Sequence, residues 1–329
     1  MSVRVGILSF AHVHAPNYAA ALGGSGPAEF VGLADDDSDR GREAADRYGV
    51  RFFRTAEDLF AAVDAVVVCS ENRRHAEGVI PALRAGVDVL CEKPISTSAE
   101  DARAMILASE QTGRRLGIAF PVRHAPAVRR AREVVRSGAI GRVLAVNGTN
   151  HGQPPGGWFV DPGMSGGGAV MDHTVHVVDT LRFVLGVEVG SVYAEVGSFF
   201  GTENVDDAGI LTLELEGGVA DGAFATVDPS WSRGPGYPTW GDFTLRITGT
   251  SGVLDVDAFS RSITTFDHGS GGTSWTHAVA DPNALMLDDF LTGGGLIGAD
   301  GEDGLRALEV VLAAYRSGES HAPVAVARS

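Results

Sequence analysis

The alternation of short apolar runs with helix-patterned segments over the first 120 residues constrains the fold of this chain most. Residues 4–8 and 30–34 are mainly apolar, and each run is followed by a helical segment. Residues 65–69 are apolar throughout, as is typical of a strand buried on both faces. Further short strands are expected at 50–53, 88–91 and 115–120. This order predicts right-handed crossovers and an α/β fold with a doubly wound parallel sheet.

The pattern changes after residue 122. Helices are expected at 127–137, 171–185 and 304–315, and a series of strand-like runs without helices lies between the last two. Those runs cover 191–199, 208–216, 219–227, 242–248, 252–257 and 262–267. They predict a mostly antiparallel sheet, and therefore an α+β second domain. We expect a first domain at 1–122 and a second at 123–329.

Charge and composition exclude several classes of protein. The chain has 42 acidic and 26 basic residues and a formal net charge of −16, which disfavours binding to nucleic acid. No uncharged apolar run reaches the roughly 18 residues that a membrane helix needs. Two cysteines, Cys69 and Cys91, cannot build a disulfide framework, so a cytoplasmic location is expected.

The segments that follow the predicted strands are the most informative, because doubly wound sheets bind ligands at the carboxyl ends of their strands. Ser9-Phe10-Ala11-His12 follows the first strand, where a dinucleotide-binding fold carries G-x-G-x-x-G. Ser9, Ala11 and His14 occupy the three glycine positions, so that motif is absent. A cofactor could still bind at the helix N-terminus, through Ser9 and His12.

Asp35 ends the second strand, at the distance where a carboxylate accepts hydrogen bonds from a ribose. Its charge would repel a 2′-phosphate, which favours NAD over NADP. Asp36 and Asp37 would strengthen that repulsion. An equally favoured interpretation is that they are turn and cap residues before the next helix.

Polar residues also follow the fourth and fifth strands. Ser70 and Asn72 come after the fourth strand, with His75 in the first turn of the next helix. Glu92 and Lys93 come after the fifth, which Pro94 ends. Lys93 is the only lysine of the chain, and the other 25 basic residues are arginines. This pattern indicates that position 93 requires a compact ammonium group or an amine whose pKa can be shifted. The alternative is a lysine retained by chance.

The second half contributes a helix with a polar face. Asp172, His176 and Asp179 are spaced i, i+4 and i+7 on an otherwise apolar helix, so they share one side of it. A catalytic general-base pair is the favoured interpretation. The alternatives are a structural hydrogen-bond network and a metal site built from Asp172, His173 and His176. The metal site is least favoured because no H-E-x-x-H spacing is present, and no metal is expected.

Trp158 and Trp231 fall in predicted loops. Their rings could bind the C–H faces of a sugar, or pack onto a domain edge.

Taken together, these residues resemble the Gfo/Idh/MocA oxidoreductases over nearly the whole chain. The resemblance rests on Asp35, the segments 70–75, 91–94 and 121–124, Trp158 with Asp161-Pro162, and the glycine-rich segment 166–179. It implies an N-terminal Rossmann domain followed by a domain with a large open sheet that forms homodimers or homotetramers. It also implies NAD(P)-dependent hydride transfer at a secondary alcohol of a sugar, sugar acid or cyclitol.

The resemblance implies a role for each matching residue. His176 would take the hydroxyl proton, Asp172 would orient His176, and Lys93 would stabilise the alkoxide. Glu92 and Asn72 would shape the cofactor side of the site, and Arg123 the substrate side. The first loop departs from the family pattern in lacking glycines, so a non-catalytic sensor or regulatory protein on the same fold is the alternative.

Overall fold

The fold is a parallel α/β sheet joined to a second, mostly antiparallel sheet. The computed structural model describes residues 2–24, 28–237, 241–259, 262–267, 272–277, 280–293 and 298–327. Both large sheets have seven strands, and a separate hairpin has two. No helix of the described ranges combines the length and apolarity needed to cross a membrane.

The first sheet is a doubly wound Rossmann sheet. Its parallel strands lie in the order β6-β5-β4-β1-β2-β3. The strands are β1 (Val3–Leu8), β2 (Ala28–Ala34), β3 (Arg51–Phe53), β4 (Ala65–Val68), β5 (Asp88–Cys91) and β6 (Leu116–Ile118). The helices between them are α1 (Ala15–Leu22), α2 (Ser38–Tyr48), α3 (Ala56–Phe60), α4 (His75–Arg84) and α5 (Ala99–Thr112). Strand order reverses between β1 and β4, which makes that edge the expected ligand site.

The second sheet has the order β12-β11-β7-β10-β9-β8-β16, and only the β7–β10 pair is parallel. This half contains α6 (Pro126–Arg136), β7 (Val143–Thr149), α7 (Pro162–Ser165), α8 (Ala169–Leu185), β8 (Glu188–Gly197), β9 (Ala208–Glu216), β10 (Phe224–Asp228), β11 (Thr244–Gly249) and β12 (Val253–Asp257). It continues with β13 (Ser262–Asp267), β14 (Gly272–His277), α9 (Pro282–Thr292), β15 (Ala299–Asp300), α10 (Gly301–Ser320) and β16 (Val324–Ala325). The predicted fold class is confirmed.

Several element boundaries differ from the sequence-based expectation. The strand expected at 219–227 starts only at Phe224, because Gly218 and Gly222 have φ values of +56° and +74° and interrupt the extended run. The last helix starts at Gly301 rather than residue 304, since Asp300 and Asp303 form a capping box that begins it at Gly301. The expectation missed α9 and β14. In addition, β15 returns to the first sheet and pairs antiparallel with β6.

Helix α8 connects the two sheets and carries the polar face of interest. All of its residues except Arg182 are buried. Its N-terminus is held by Asp206, whose carboxylate accepts hydrogen bonds from the backbone N–H groups of Gly168 and Val170 at 2.9 and 2.8 Å. Tyr315 of α10 donates to the same carboxylate. The start of α8 is therefore fixed against both the second sheet and the C-terminal helix.

We expect Gly168→Ala to destabilise the fold by about 2 kcal/mol or more, since an added methyl needs a backbone shift. The new Cβ would lie 1.7 Å from the Asp206 carbonyl oxygen, so the backbone at residue 168 and the backbone at Asp206 would have to move apart. Urea unfolding followed by circular dichroism measures the change. Gly234→Ala is the matched control, because its Cβ meets nothing within 4 Å. Equal stability of the two variants would contradict this packing argument.

Candidate active site

A cavity of about 170 Å³ lies between the first loop, the end of β5 and the start of α8. It is lined by three of the residues that the sequence singled out, Lys93, Asp172 and His176. Other residues of its wall are His12, His14, Asn150, His151, Phe159 and His173. Lys93 and His176 are 83 positions apart in the sequence, and in the folded protein they line the same cavity.

Lys93 and Asp172 form a buried ion pair. The Lys93 Nζ donates to Asp172 Oδ1, and it lies 3.3 Å from the Asp172 carbonyl oxygen. Trp231 Nε1 donates to Asp172 Oδ2 at 3.2 Å, and His173 Nε2 lies 3.1 Å from the same oxygen. Burial alone would raise the pKa of Asp172, but the Lys93 and His173 charges hold it well below its usual value. Asp172 is therefore an ionised anchor for Lys93.

His176 is a neutral imidazole at the same cavity. Burial lowers its pKa well below the ordinary value, and the nearby Lys93 ammonium lowers it further. Among the described residues its Nδ1 has no hydrogen-bond partner, and Phe120 packs edge-on against the ring. The expected orienting bond from Asp172 to His176 is not formed, because both Asp172 oxygens are bound by Lys93, Trp231 and His173.

His151 is a cavity residue that the sequence did not indicate. Its two ring nitrogens lie 3.1 Å from Asp228 and 2.9 Å from Asp242. These hydrogen bonds raise the pKa of His151 to about 9. Arg233 pairs with Asp242 as well, so the cluster balances two cations against two carboxylates. The loop after β7 and the segments around Asp228 and Asp242 meet only in the folded sheet, so this cluster could not be recognised from the sequence.

The first loop is closed by hydrogen bonds from its own surroundings. Ser9 has a φ of +70°, the conformation for which glycine is usual at this position. The backbone N–H groups of Phe10, Ala11 and His12 donate to Asp35 Oδ2, Ser9 Oγ and the Cys69 carbonyl at 2.7, 3.2 and 2.9 Å. Side chains and neighbouring strands therefore hold the turn that glycines normally permit.

A second cavity, of about 310 Å³, lies on the other side of this loop at the β1–β4 switch point. Ser9, Asp35, Ser70, Arg74 and Gly78 are among its lining residues. The buried Ser70 Oγ has no hydrogen-bond partner within the described residues. An unpaired hydroxyl in a cavity at the switch point fits the adenosine half of a dinucleotide, and the first cavity fits the reacting half.

Asp35 does not have the free carboxylate that we expected. Both of its oxygens are bound by Arg40, at 2.9 Å from Nε and 2.6 Å from Nη2, and they also accept from Phe10 and Asp37 backbone N–H groups. The side chain is fully buried. Asp35 therefore fixes the first loop and the start of α2, and it has no oxygen turned toward a ribose.

Several other candidate residues have structural contacts. The His75 Nδ1 and Nε2 atoms lie 2.9 and 3.2 Å from the carbonyl oxygens of Pro94 and Ser70. The Asn72 side-chain amide donates to the Ser165 carbonyl at 2.9 Å. Glu92 accepts from the Tyr18 hydroxyl at 2.6 Å and from the Lys93 backbone N–H at 3.0 Å. These bonds fix the strand ends that carry Lys93 and the switch-point cavity.

Arg123 and Trp158 lie beside the cavity wall. The Arg123 guanidinium is buried and binds Asp179 and Asp303. The Trp158 Nε1 donates to the Ala11 carbonyl at 2.9 Å, and its ring stacks on Phe159. Phe159 itself lines the cavity. Trp158 thus covers the first loop, and Arg123 joins α8 to α10.

We expect NMR titration of the histidines to separate His151 from His176. His151 should lose its proton near pH 9, because Asp228 and Asp242 favour the charged ring, whereas His176 should stay neutral at pH 6.5 and protonate only at lower pH. Asp242→Asn should lower the His151 midpoint. The control is Asp255→Asn, which removes a carboxylate of an exposed ion pair with Arg246. An unchanged His151 titration midpoint in Asp242→Asn would contradict the role of Asp242 in raising the pKa of His151.

Comparisons with known proteins agree with this architecture. Residues 3–120 match "Oxidoreductase family, NAD-binding Rossmann fold", and residues 128–255 match "GFO/IDH/MocA C-terminal domain". The chain is 30% identical over 335 residues to inositol 2-dehydrogenase of Rhizobium meliloti (strain 1021), covering 96% of this chain and 97% of that protein.

Two further relatives align with this chain over different shares of their length. The chain is 36% identical over 199 residues to 1,5-anhydro-D-fructose reductase of Ensifer adhaerens, covering 58% of this chain and 60% of the relative. The crystal structure of an oxidoreductase domain protein from Kribbella flavida has the same fold, with a TM-score of 0.84, 21% identity, and coverage of 99% of this chain and 100% of that one. The chain belongs to the Gfo/Idh/MocA family of oxidoreductases, and its first half is the family's NAD-binding Rossmann domain.

Proposed function

We propose that this oxidoreductase interconverts a secondary alcohol and a ketone on a sugar, sugar acid or cyclitol, with NAD as the preferred cofactor. The observation that carries the proposal is the meeting of Lys93, anchored by Asp172, with a neutral His176 in one cavity at the ligand edge of the sheet. The names of two relatives, inositol 2-dehydrogenase and 1,5-anhydro-D-fructose reductase, support the substrate class.

The side chains of the cavity divide the acid–base work. His176 takes the hydroxyl proton, because the neutral imidazole can accept it and the lowered pKa keeps the ring neutral. Lys93 stabilises the negative charge that develops on the oxygen, and Asp172 holds the ammonium in place. A bound nicotinamide supplies the acceptor or donor for the hydride of the carbinol carbon. Phe159 offers an apolar face to the substrate ring.

The cofactor would lie across the first loop, between the two cavities. Ser70 and Ser9 would contact the adenosine half, and Lys93 the nicotinamide half. NAD is preferred in this proposal because Asp36, Glu57 and Glu77 line the switch-point cavity and would repel a 2′-phosphate. Two cations also line this cavity, Arg54 and Arg74, and Arg74 is already paired with Asp36 and Glu77.

The two halves of the chain divide these tasks in our proposal. Residues 1–122 hold the cofactor, and residues 123–329 supply α8 and the open sheet. The separate family matches at 3–120 and 128–255 support that division. We also propose a cytoplasmic location, which the two buried free thiols of Cys69 and Cys91 support.

We expect Lys93→Met and His176→Asn each to lower kcat at least about 100-fold, since each removes a group that acts on the reacting oxygen. NADH affinity, measured by fluorescence quenching, should change little in His176→Asn. The assay screens sugars, sugar acids and inositols with both NAD and NADP, and kcat/KM should be at least about tenfold higher with NAD.

His321→Asn serves as the control for this experiment, because His321 is exposed, lies near Glu195 and does not line the cavity. Full turnover in both active-site variants would overturn the assigned chemistry. Ligand binding without turnover, unchanged by either substitution, would instead identify a sensor on this fold.

We further propose that the open face of the second sheet forms a homodimer or homotetramer. Strand β9 alternates buried and exposed residues, so one face of the sheet packs on the helices and the other is exposed. Ile210 and Phe224 are 53% and 52% exposed on the neighbouring strands β9 and β10. An apolar patch of this kind on a sheet face is typical of an interface.

We expect Phe224→Glu to shift the protein toward monomers, because a buried carboxylate at the interface would lack a partner. Light scattering coupled to size-exclusion chromatography measures the mass. Leu107→Glu is the matched control, since Leu107 is 51% exposed on α5 of the other half. A wild-type monomer, or equal masses for the two variants, would contradict this interface.

A further inference from the structure

His12 and His14 line the active cavity, and the buried Glu92 lies against both of their rings. Each offers one ligand atom, and these atoms all lie within 4.8 Å of one another. The His14 Nδ1 is 3.0 Å from Glu92 Oε1, and the His12 Nδ1 is 3.6 Å from the same oxygen. Ligands held at about 2.1 Å from a metal ion are themselves about 3 to 3.5 Å apart, so the separations from Glu92 already suit an ion.

The carboxylate of this cluster is buried. Glu92 is fully buried, and its Oε1 lies beside the rings of both His12 and His14. Its hydrogen bonds within the described part of the chain come from the Tyr18 hydroxyl, the His14 ring and the Lys93 backbone N–H. None of these donors is a lysine or arginine cation. A cation among the three groups would complete the charge balance.

His12 has the form that a metal ligand needs. The ring is buried, with its Nδ1 3.6 Å from Glu92 Oε1. The His14 backbone N–H points at its Nδ1 from 3.2 Å, so this nitrogen carries a lone pair rather than a proton. Its Nε2 is buried without a partner among the described residues. Among the described residues the ring therefore accepts only the His14 backbone N–H, a bond that a metal ion at Nδ1 would replace.

We propose that His12, His14 and Glu92 bind one divalent transition-metal ion through His12 Nδ1, His14 Nδ1 and Glu92 Oε1. A set of two imidazoles and one carboxylate suits Zn²⁺, and Fe²⁺ or Mn²⁺ as well. In the metal-free protein the His14 Nδ1 donates to Glu92. On metal binding the ring proton moves to Nε2, and the Tyr18 hydroxyl keeps its hydrogen bond to the carboxylate as an outer-sphere contact.

The position of the cluster gives the proposed ion access to the reaction space. His12 and His14 line the same cavity as Lys93 and His176. Three protein ligands leave a coordination position open, as in catalytic zinc sites, and here that position would face the cavity. The two histidines stand in the loop where the glycine motif is absent, so the residues that disrupt that motif supply the ligands. The site is additional to the proposed dehydrogenase chemistry and does not depend on its substrate.

The test uses the full chain without an affinity tag, stripped by a chelator and titrated with ZnCl₂ in a calorimeter. We expect one Zn²⁺ per chain. Glu92→Gln and His14→Ala should each weaken binding at least about 100-fold, because losing even an outer-sphere partner of a ligand costs 10- to 100-fold. His14 is about one-third exposed, with 32% of its side chain accessible, so His14→Ala should still fold.

A surface pair of the same chemistry provides the control. His321 lies 3.8 Å from Glu195 and is exposed, so His321→Ala should leave Zn²⁺ affinity unchanged. Thermal unfolding gives a second measurement: Zn²⁺ should raise the Tm of the wild type but not that of Glu92→Gln. No stoichiometric binding to the wild type would overturn the proposal. So would wild-type affinity in both ligand variants, or binding that is lost only in His173→Ala.

Discussion

The buried ion pair between Lys93 and Asp172 is the contact on which the site depends. It joins the end of β5 in the first sheet to the first turn of α8 in the second half. Removing one partner of such a pair costs about 3–5 kcal/mol, because the other charge is left buried and uncompensated. Trp231 and His173 hold the carboxylate from the other side. The pair therefore fixes the distance between the nucleotide edge and the helix that carries His176.

Burial and charge give the imidazoles of one cavity different tasks. Burial and the Lys93 cation lower the pKa of His176, so its ring stays neutral and keeps a lone pair that can accept a proton. His151 sits between two carboxylates, so its pKa rises to about 9 and it stays charged at neutral pH. These residues are chemically identical, and the different partners alone separate their roles.

The sequence predicted the fold class and the central residues, but not the pairing among them. The alternation of strands and helices indicated the parallel sheet, and the single lysine with the i, i+4 pair indicated Lys93, Asp172 and His176. Asp35 was different, because its carboxylate is taken by Arg40 one helical turn further on. A sequence motif places a residue at a strand end but does not say which neighbour reaches it first. His151 and Trp231 come from loops of the second sheet, and their approach to the cavity depends on long-range packing.

The first loop illustrates how a family fold can be kept after a motif is lost. Glycines allow a tight turn and leave backbone N–H groups free for a pyrophosphate. Here Ser9 adopts the left-handed conformation, and Asp35, Ser9 and Cys69 bind the three following N–H groups. These three N–H groups already have partners within the protein, so the backbone of the loop has less to offer an anion. Binding in this part of the molecule must then rely on side chains, and the ones that the loop places at the cavity are His12 and His14.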